Sequence, residues 1–220
     1  TLFNQGADSK IETENAFTFQ MAQWFRNEGS VLGQTTGLIE SPDFENSNSL
    51  MSLNRMNIDV GRFNNTRVIS STQDEVSLKL KRGTQAGTLL SKESMNIDVE
   101  DHLSVKSVNG ERKADIESQK DLRVFGKGRL ENQGNIFSTK GLSLELDVEN
   151  LKNINGGEII LAGTPERLIS FENSEKSFLV STGDITAFNL LNLKNLGTLQ
   201  GQKNISLQAK KIDNEGALFG

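Results

Sequence analysis

The sequence has no cysteine and no tyrosine, and its 220 residues include one histidine, one tryptophan and two prolines. The absence of cysteine excludes disulfides, thiolate metal sites and thiol nucleophiles. A single histidine excludes any metal centre or catalytic pair that needs two. No run of about 18 apolar residues occurs, so no transmembrane segment is predicted. We therefore expect no metal and no cofactor.

Basic residues are also scarce relative to acidic ones: 24 Lys and Arg stand against 29 Asp and Glu, giving a formal charge of -5. This balance argues against nucleic acid or an anionic membrane as the main partner, because no basic excess is present to neutralise phosphates. The chain has neither an initiator Met nor a signal-peptide pattern, and residues 214–220 end in the middle of a recurring pattern. We expect residues 1–220 to be a single segment of a longer protein.

The main feature of the sequence is an internal repeat. The tripeptide Asn-x-Gly occurs six times, whereas 22 Asn and 20 Gly in 220 residues predict about two occurrences by chance. The occurrences are phased, and related polar positions fill the gaps between them at a mean spacing of 21 residues. The eleven markers of this repeat are Asn4, Asn27, Asn46, Asn65, Gln85, Asn109, Asn132, Asn155, Asn173, Asn195 and Asn214.

Apolar residues keep a fixed phase to these markers. In most units one apolar residue lies two positions before the marker and another lies four positions after it. A second segment alternates farther on, and the pentapeptide Met-Asn-Ile-Asp-Val occurs at both 56–60 and 95–99, each time ten residues after a marker. Alternation with a period of two indicates β-strands with one inward face.

A unit of about 21 residues with two short strands cannot bury its apolar face alone, so it must stack on its neighbours. The sequence predicts an all-β, right-handed parallel β-helix, a β-solenoid of about ten coils. Each marker is expected at a tight corner where it tolerates left-handed backbone angles, with its amide joined to those of the coils above and below. The glycine of the motif is expected to supply a positive φ. Phe25, Phe44, Phe63 and Phe171 are predicted to form one core column.

Two stretches fit this pattern poorly. Residues 15–26 are compatible with a strand that buries Phe17, Phe19 and Met21, and equally with a short amphipathic helix. Residues 101–129 lose the repeat around a charged run, so we interpret them as irregular or loop-bearing coils.

The best repeats resemble a known family. Residues 130–136 followed by 142–146, and residues 193–199 followed by 205–209, resemble the haemagglutinin repeat of filamentous-haemagglutinin-type exoproteins. The resemblance implies a right-handed parallel β-helix, a secreted or bacterial cell-surface location and export through an outer-membrane transporter of two-partner secretion. That family includes adhesins and the stalks of contact-dependent growth inhibition. The Asn-Pro-Asn signature of its secretion domain is absent, which favours an interior segment.

Charged residues are candidates for catalytic or binding groups, because β-helices also carry polysaccharide lyases and glycoside hydrolases. Asp59 and Asp98 occupy the same outward position two coils apart, roughly 9.6 Å by strand spacing, near the upper end of the inverting-glycosidase range of about 6.5–9.5 Å. Residues 98–102 offer oxygen ligands for Ca²⁺, but alternate residues face opposite ways on a strand. Lys79, Lys81 and Arg82 form a basic strip that suits either an acidic glycan or solvent.

These observations predict a structural or adhesive rod segment of a bacterial surface exoprotein and no enzymatic activity. The alternatives are a carbohydrate-active enzyme on the same fold and a scaffold of other origin. Receptor contact is expected where the repeat decays and stacking constrains the side chains least. The residues predicted for it are Glu111, Arg112, Lys113, Asp115 and Glu117.

Overall fold

The computed structural model describes residues 2–106, 114–151 and 154–220, with the backbone alone for Asn150, Leu151 and Asn155. These residues form 22 strands that join into one sheet, and every strand pairing is parallel. Each strand pairs with its equivalent about 20 residues later, so the chain winds as a β-solenoid of about ten turns. The predicted fold class is confirmed.

Each coil has three faces, which the coil of residues 56–71 illustrates. Residues 56–60 form face 1, residues 62–65 form face 2 after a bend at Gly61, and residues 68–71 form face 3. Strands numbered in chain order cross faces 1 and 2 together in seven coils: β6 (Gly37–Asn46), β8 (Met56–Asn65), β10 (Val76–Gln85), β12 (Met95–Val105), β14 (Asp121–Asn132), β19 (Ile185–Asn195) and β21 (Ile205–Asn214).

The remaining strands complete the coils. Short strands form face 3: β2 (Lys10–Thr13), β5 (Ser30–Gly33), β7 (Ser49–Ser52), β9 (Val68–Ser71), β11 (Thr88–Ser91), β13 (Asp115–Ser118), β18 (Phe178–Ser181), β20 (Thr198–Gly201) and β22 (Ala217–Phe219). Three strands lie on face 2 alone: β1 (Leu2–Asn4), β4 (Trp24–Asn27) and β17 (Ile169–Asn173). One strand, β3 (Phe17–Gln20), lies on face 1 alone. Two longer strands continue around corners from one face to the next: β15 (Asn135–Leu151) and β16 (Ile154–Ala162).

The core consists of columns of like side chains that run along the rod. On face 2 the rings of Phe25 and Phe44 are stacked with centroids 5.4 Å apart, and those of Phe44 and Phe63 repeat the same distance. Phe171 lies farther along the same column, where it pairs with Val148 and Leu193. Flat rings fit here because parallel strands place equivalent side chains directly above one another.

Residues 15–26 contain two strands, β3 and β4, so the helical alternative is excluded for them. Phe17 is buried, and Trp24 faces outward against the ring of Phe3. Within 101–129, residues 114–129 join the regular coils: Ile116 and Leu122 are buried and pair with the coils on both sides. Residues 107–113 lie outside the described part of the chain.

Candidate functional site: corner columns and outer faces

The corner between faces 2 and 3, here called the Asn corner, contains a ladder of buried side-chain amides. Nδ2 of Asn4 donates to Oδ1 of Asn27 at 2.8 Å, and Asn27 donates in the same way to Asn46 at 2.7 Å. Asn46 continues to Asn65 at 2.8 Å, and Asn65 reaches Oε1 of Gln85 at 3.1 Å. Each bond is buried, so each amide replaces the hydrogen bonds with water that it loses on folding.

The ladder also closes the corner within each pair of coils. Nδ2 of Asn27 makes a second bond, to the backbone carbonyl of Ser49 at 3.0 Å, and Asn46 bonds the carbonyl of Asn48 at 2.8 Å. The corner amides therefore hold both the turn and the stack. The expectation of left-handed angles is wrong here, since positive φ among the described non-glycine residues occurs only at Lys176 and Asn189.

The motif glycines serve close packing, and the expected positive φ occurs only at Gly6 among them. A Cβ atom on Gly29 would lie 2.2 Å from the carbonyl oxygen of Ser9 in the preceding coil. A Cβ on Gly216 would lie 2.1 Å from the carbonyl oxygen of Gly197. Glycine is required because two backbones approach each other at the Asn corner with no room for a side chain.

The amide ladder stops at Val105. This buried residue pairs with Gln85 on one side and Asn132 on the other, so it occupies the marker position of its coil. The side chain of Gln85 turns instead to the backbone carbonyls of Gly87 and Asp115. Asn109, predicted as the marker of this coil, lies outside the described residues.

The assignment of Asn155 to the Asn corner is wrong. Its backbone pairs with Phe137 and Val180 on face 3, and Leu151 lies opposite Asn173 instead. The two glycines that follow Asn155 belong to the corner between faces 3 and 1, where a tight turn has similar steric needs. The ladder resumes beyond this point, from Asn173 through Asn195 to Asn214, with bonds of 2.6 and 2.7 Å.

A column that the sequence analysis missed lies at that corner between faces 3 and 1, here called the Ser corner. Oγ of Ser91 lies 3.1 Å from the carbonyl oxygen of Asp74 in the preceding coil and 2.9 Å from that of Ser94. Ser118 and Ser138 repeat this arrangement. The sequence signal was a serine six residues after the marker, at Ser52, Ser71, Ser91 and Ser138.

The two aspartates considered for catalysis lie in one outward column of face 1, with Lys79 between them. Nζ of Lys79 bonds Oδ2 of Asp59 at 3.1 Å, and this hydrogen bond together with the charge of Asp59 raises the pKa of Lys79. The column thus alternates in charge from Asp59 to Asp98. This arrangement provides an ordinary surface ion pair and places a cation where an acid–base pair would hold substrate.

The oxygen-rich stretch at 98–102 is divided by the bend between the faces. Asp98 points outward from face 1 and His102 points outward from face 2, with Nε2 of His102 3.7 Å from Glu131. In the part of the chain that the structure describes, no group of three His, Asp or Glu side chains is arranged to hold a metal ion.

The residues predicted for receptor contact are only partly placed. Asp115 and Glu117 point outward from β13 on face 3, and Oδ1 of Asp115 accepts a bond of 2.7 Å from Nδ2 of Asn135. Glu111, Arg112 and Lys113 lie outside the described residues. Two of the five residues are thus located on a regular face of the rod.

One ion pair on face 1 is bidentate, with two parallel hydrogen bonds between the guanidinium and the carboxylate. Arg123 donates from Nε and Nη2 to the two carboxylate oxygens of Glu145, at 2.7 and 2.6 Å. The hydrogen bond from Arg123 lowers the pKa of Glu145, opposed by partial burial, and the bond to Glu145 raises the pKa of Arg123. Glu145 therefore remains charged under more acidic conditions than a free glutamate.

The chain matches no known protein-family model, no curated protein and no solved structure. None of the described segments forms a helix of the length and apolarity needed to cross a bilayer.

Proposed function

We propose that this chain is a structural and adhesive rod segment of a large secreted bacterial exoprotein. The observation that supports this most strongly is the continuous stack: the apolar core columns run through all the coils, and the Asn corner and the Ser corner add hydrogen bonds along much of the rod. Ten coils at about 4.8 Å each give a rod roughly 50 Å long. Such a rod keeps its two ends at a fixed separation and leaves its outer faces available for binding.

The resemblance to haemagglutinin repeats extends the proposal to location and export. The chain would reach the cell surface through an outer-membrane transporter of two-partner secretion and act there as an adhesin or as a contact-dependent inhibition stalk. Labelling of intact cells of the source bacterium by an antibody to this chain, as strong as the labelling of lysed cells, would support the surface location. Loss of labelling on deletion of the partner transporter would support the route, and labelling of lysed cells alone would contradict both.

Receptor binding is proposed for 101–129, where Asp115 and Glu117 face outward. Cell binding by the chain is compared with that of a variant whose residues 107–120 are replaced by a regular coil taken from residues 193–214. Weaker binding by the variant is expected, because the replacement removes the charged run. Equal binding would exclude this region as the contact.

The alternative is a polysaccharide lyase or glycoside hydrolase built on the same fold. Its best candidates are Asp59 and Asp98, and the intervening Lys79 argues against them as a general acid and base. We therefore propose no catalysis. Turnover of polygalacturonate by the chain, abolished by Asp59→Asn, would overturn that conclusion.

A further inference from the structure

A row of basic side chains crosses consecutive coils on the outer side of face 2. The parallel register pairs Arg62 with Arg82, Arg82 with His102, and His102 with Arg129. With strands about 4.8 Å apart, these four side chains form a line roughly 15 Å long, parallel to the rod axis. This line is called the basic row.

The basic row places basic side chains opposite one another on successive coils, and its members contact carboxylates only at its edges: Arg62 with Asp43, His102 with Glu131 and Arg129 with Glu149. Like charges directly opposite each other destabilise a sheet, and this protein carries a net charge of -5. On face 1, by contrast, Lys79 pairs with Asp59 and Arg123 pairs with Glu145. A concentrated positive line on an acidic protein therefore favours an anionic ligand.

The charges of the row are accessible. Arg82 is exposed, and within residues 2–106, 114–151 and 154–220 no carboxylate lies within ion-pair distance of it. The side chain of Arg62 is 63% exposed and holds Asp43 through one contact of 3.2 Å. That of Arg129 is 55% exposed, with Glu149 at 3.8 Å. A ligand carboxylate can thus bind Arg82 directly and replace weak surface pairs at its neighbours.

We propose that the basic row binds a linear anionic polysaccharide that carries one carboxylate per sugar and lies along the rod. Arg62, Arg82 and Arg129 lie on three of the row's four coils. Because a sugar ring and the strand spacing are of similar length, the carboxylates of neighbouring sugars can lie against these arginines. Guanidinium groups bind carboxylates through two parallel hydrogen bonds. The adjacent outward residues Asn64 and Thr84 are uncharged hydrogen-bonding groups suited to sugar hydroxyls. This ligand specifies the adhesive part of the proposed function and rests on it.

The ends of the row limit the length and type of the ligand. Asp43 precedes Arg62 in the same column, and Asp147 follows Arg129. Glu131 and Glu149 lie alongside the last cation. The two phosphate strands of a nucleic-acid duplex would meet all of these carboxylates, whereas a short single glycan strand centred on Arg62 and Arg82 would meet fewer of them. Affinity is expected to rise with chain length up to about four sugars, one for each coil of the row, and then to level off.

The test measures binding of the 220-residue chain to immobilised polygalacturonate by biolayer interferometry. Arg62→Ala/Arg82→Ala is expected to weaken binding about tenfold or more, and added salt to weaken it further. The matched control, Lys140→Ala/Lys203→Ala, removes two exposed lysines at the Ser corner on the opposite edge of the rod and should leave affinity unchanged. Asp43→Asn should strengthen binding, because it releases Arg62 from its surface pair.

No binding by the unaltered chain, equal losses in both double variants, or equally tight binding of duplex DNA would overturn the proposal. Circular dichroism of the double variants separates loss of binding from loss of fold. Antibody labelling of the intact bacterium without polygalacturonate binding would refute the basic row alone. Polygalacturonate binding by a protein that never reaches the surface would refute the surface location alone.

Discussion

The Asn corner differs between two regions of the rod. From Asn4 to Gln85 every coil contributes an amide, and every amide bonds the next along the rod. From Val105 to Asn173 this chain of bonds is interrupted. Within the described residues, Nδ2 of Asn132 and Oδ1 of Asn173 are buried and have no hydrogen-bond partner.

The difference indicates that a buried amide at this corner is satisfied where neighbouring amides or backbone carbonyls pair with its polar groups, as for Gln85, and is left partly unpaired where they do not, as for Asn132. A buried amide group without a partner costs about 1–3 kcal/mol, whereas a paired one contributes about 1 kcal/mol. A buried amide is therefore expected to contribute less in the interrupted region than in the continuous one. The solenoid tolerates the interruption because the apolar columns continue through it, with Leu103 and Leu130 fully buried.

The largest contrast is expected between Asn46→Leu and Asn132→Leu. The first should lower the free energy of unfolding by about 2–4 kcal/mol, because it leaves Nδ2 of Asn27 and Oδ1 of Asn65 without their partners. The second should lower it by a smaller amount, about 1 kcal/mol, because Nδ2 of Asn132 already lacks a partner and only the bond that its Oδ1 accepts from the backbone N–H of Gly134 is lost. Urea denaturation measures both. Similar losses would show that the amides act independently of one another.

A second comparison repairs the interruption. Val105→Asn places an amide between Gln85 and Asn132, so we expect it to cost less than about 1 kcal/mol despite the polar group in a buried position. Leu103→Asn buries an amide two residues away, in the apolar column, and should cost about 3 kcal/mol. Thermal and urea unfolding of the two variants decides between them. A loss at Val105 as large as that at Leu103 would contradict the register at this corner.

The Ser corner runs through both regions, so replacing its serines should lower the free energy of unfolding by the same amount in each. Ser91→Ala and Ser138→Ala are each expected to lower stability by about 1 kcal/mol, since each removes a hydroxyl that bonds the backbone of adjoining turns. Chemical denaturation of the two single variants provides the measurement. If only Ser91→Ala were destabilising, the interruption would extend beyond the Asn corner.

The smallest effect is expected at Glu145, on the outer surface of the interrupted region. Because its pKa is lowered in the folded state, the stabilisation is fully present above the ordinary glutamate pKa and is lost as the pH falls through the lowered value. Because the Arg123 side chain is half exposed and screened by solvent, the difference between the unaltered chain and Glu145→Gln should be about 0.5 kcal/mol at neutral pH and disappear in acid. A difference that grows on acidification would contradict the assigned sign.

Much of the fold could be predicted from the sequence, because stacking makes each coil repeat the demands of the one before. The alternation in 56–60 and 95–99 indicated inward faces that the structure contains, and Phe25, Phe44 and Phe63 share the expected column. Asn46, Asn65, Gln85 and Asn173 occupy the Asn corner although they lack the full motif, because the length of the coil and not the motif alone sets the register.

The features that could not be predicted depend mainly on insertions, which shift the register between one coil and the next. Nine residues separate Val105 from Asp115 at the Asn corner, whereas two separate Asn46 from Ser49. This difference moved the marker of that coil from the predicted Asn109 to Val105. The basic row was missed for the same reason, since His102 and Arg129 become neighbours only once the longer coil is aligned. The Ser corner was overlooked because serine is common in the sequence and carries no motif of its own.

The stacked amide ladder is tested most directly by the exchange rates of the side-chain amide hydrogens, measured by NMR in deuterated water. In a continuous ladder, Asn27, Asn46 and Asn65 should exchange as slowly as the backbone amides of the strands that surround them, because only global or large local opening exposes them. Asn132 should exchange faster, since its Nδ2 has no acceptor among the described residues. Rapid exchange at Asn27, Asn46 and Asn65, or rates equal to that of Asn132, would contradict the ladder and the stacked rod built on it.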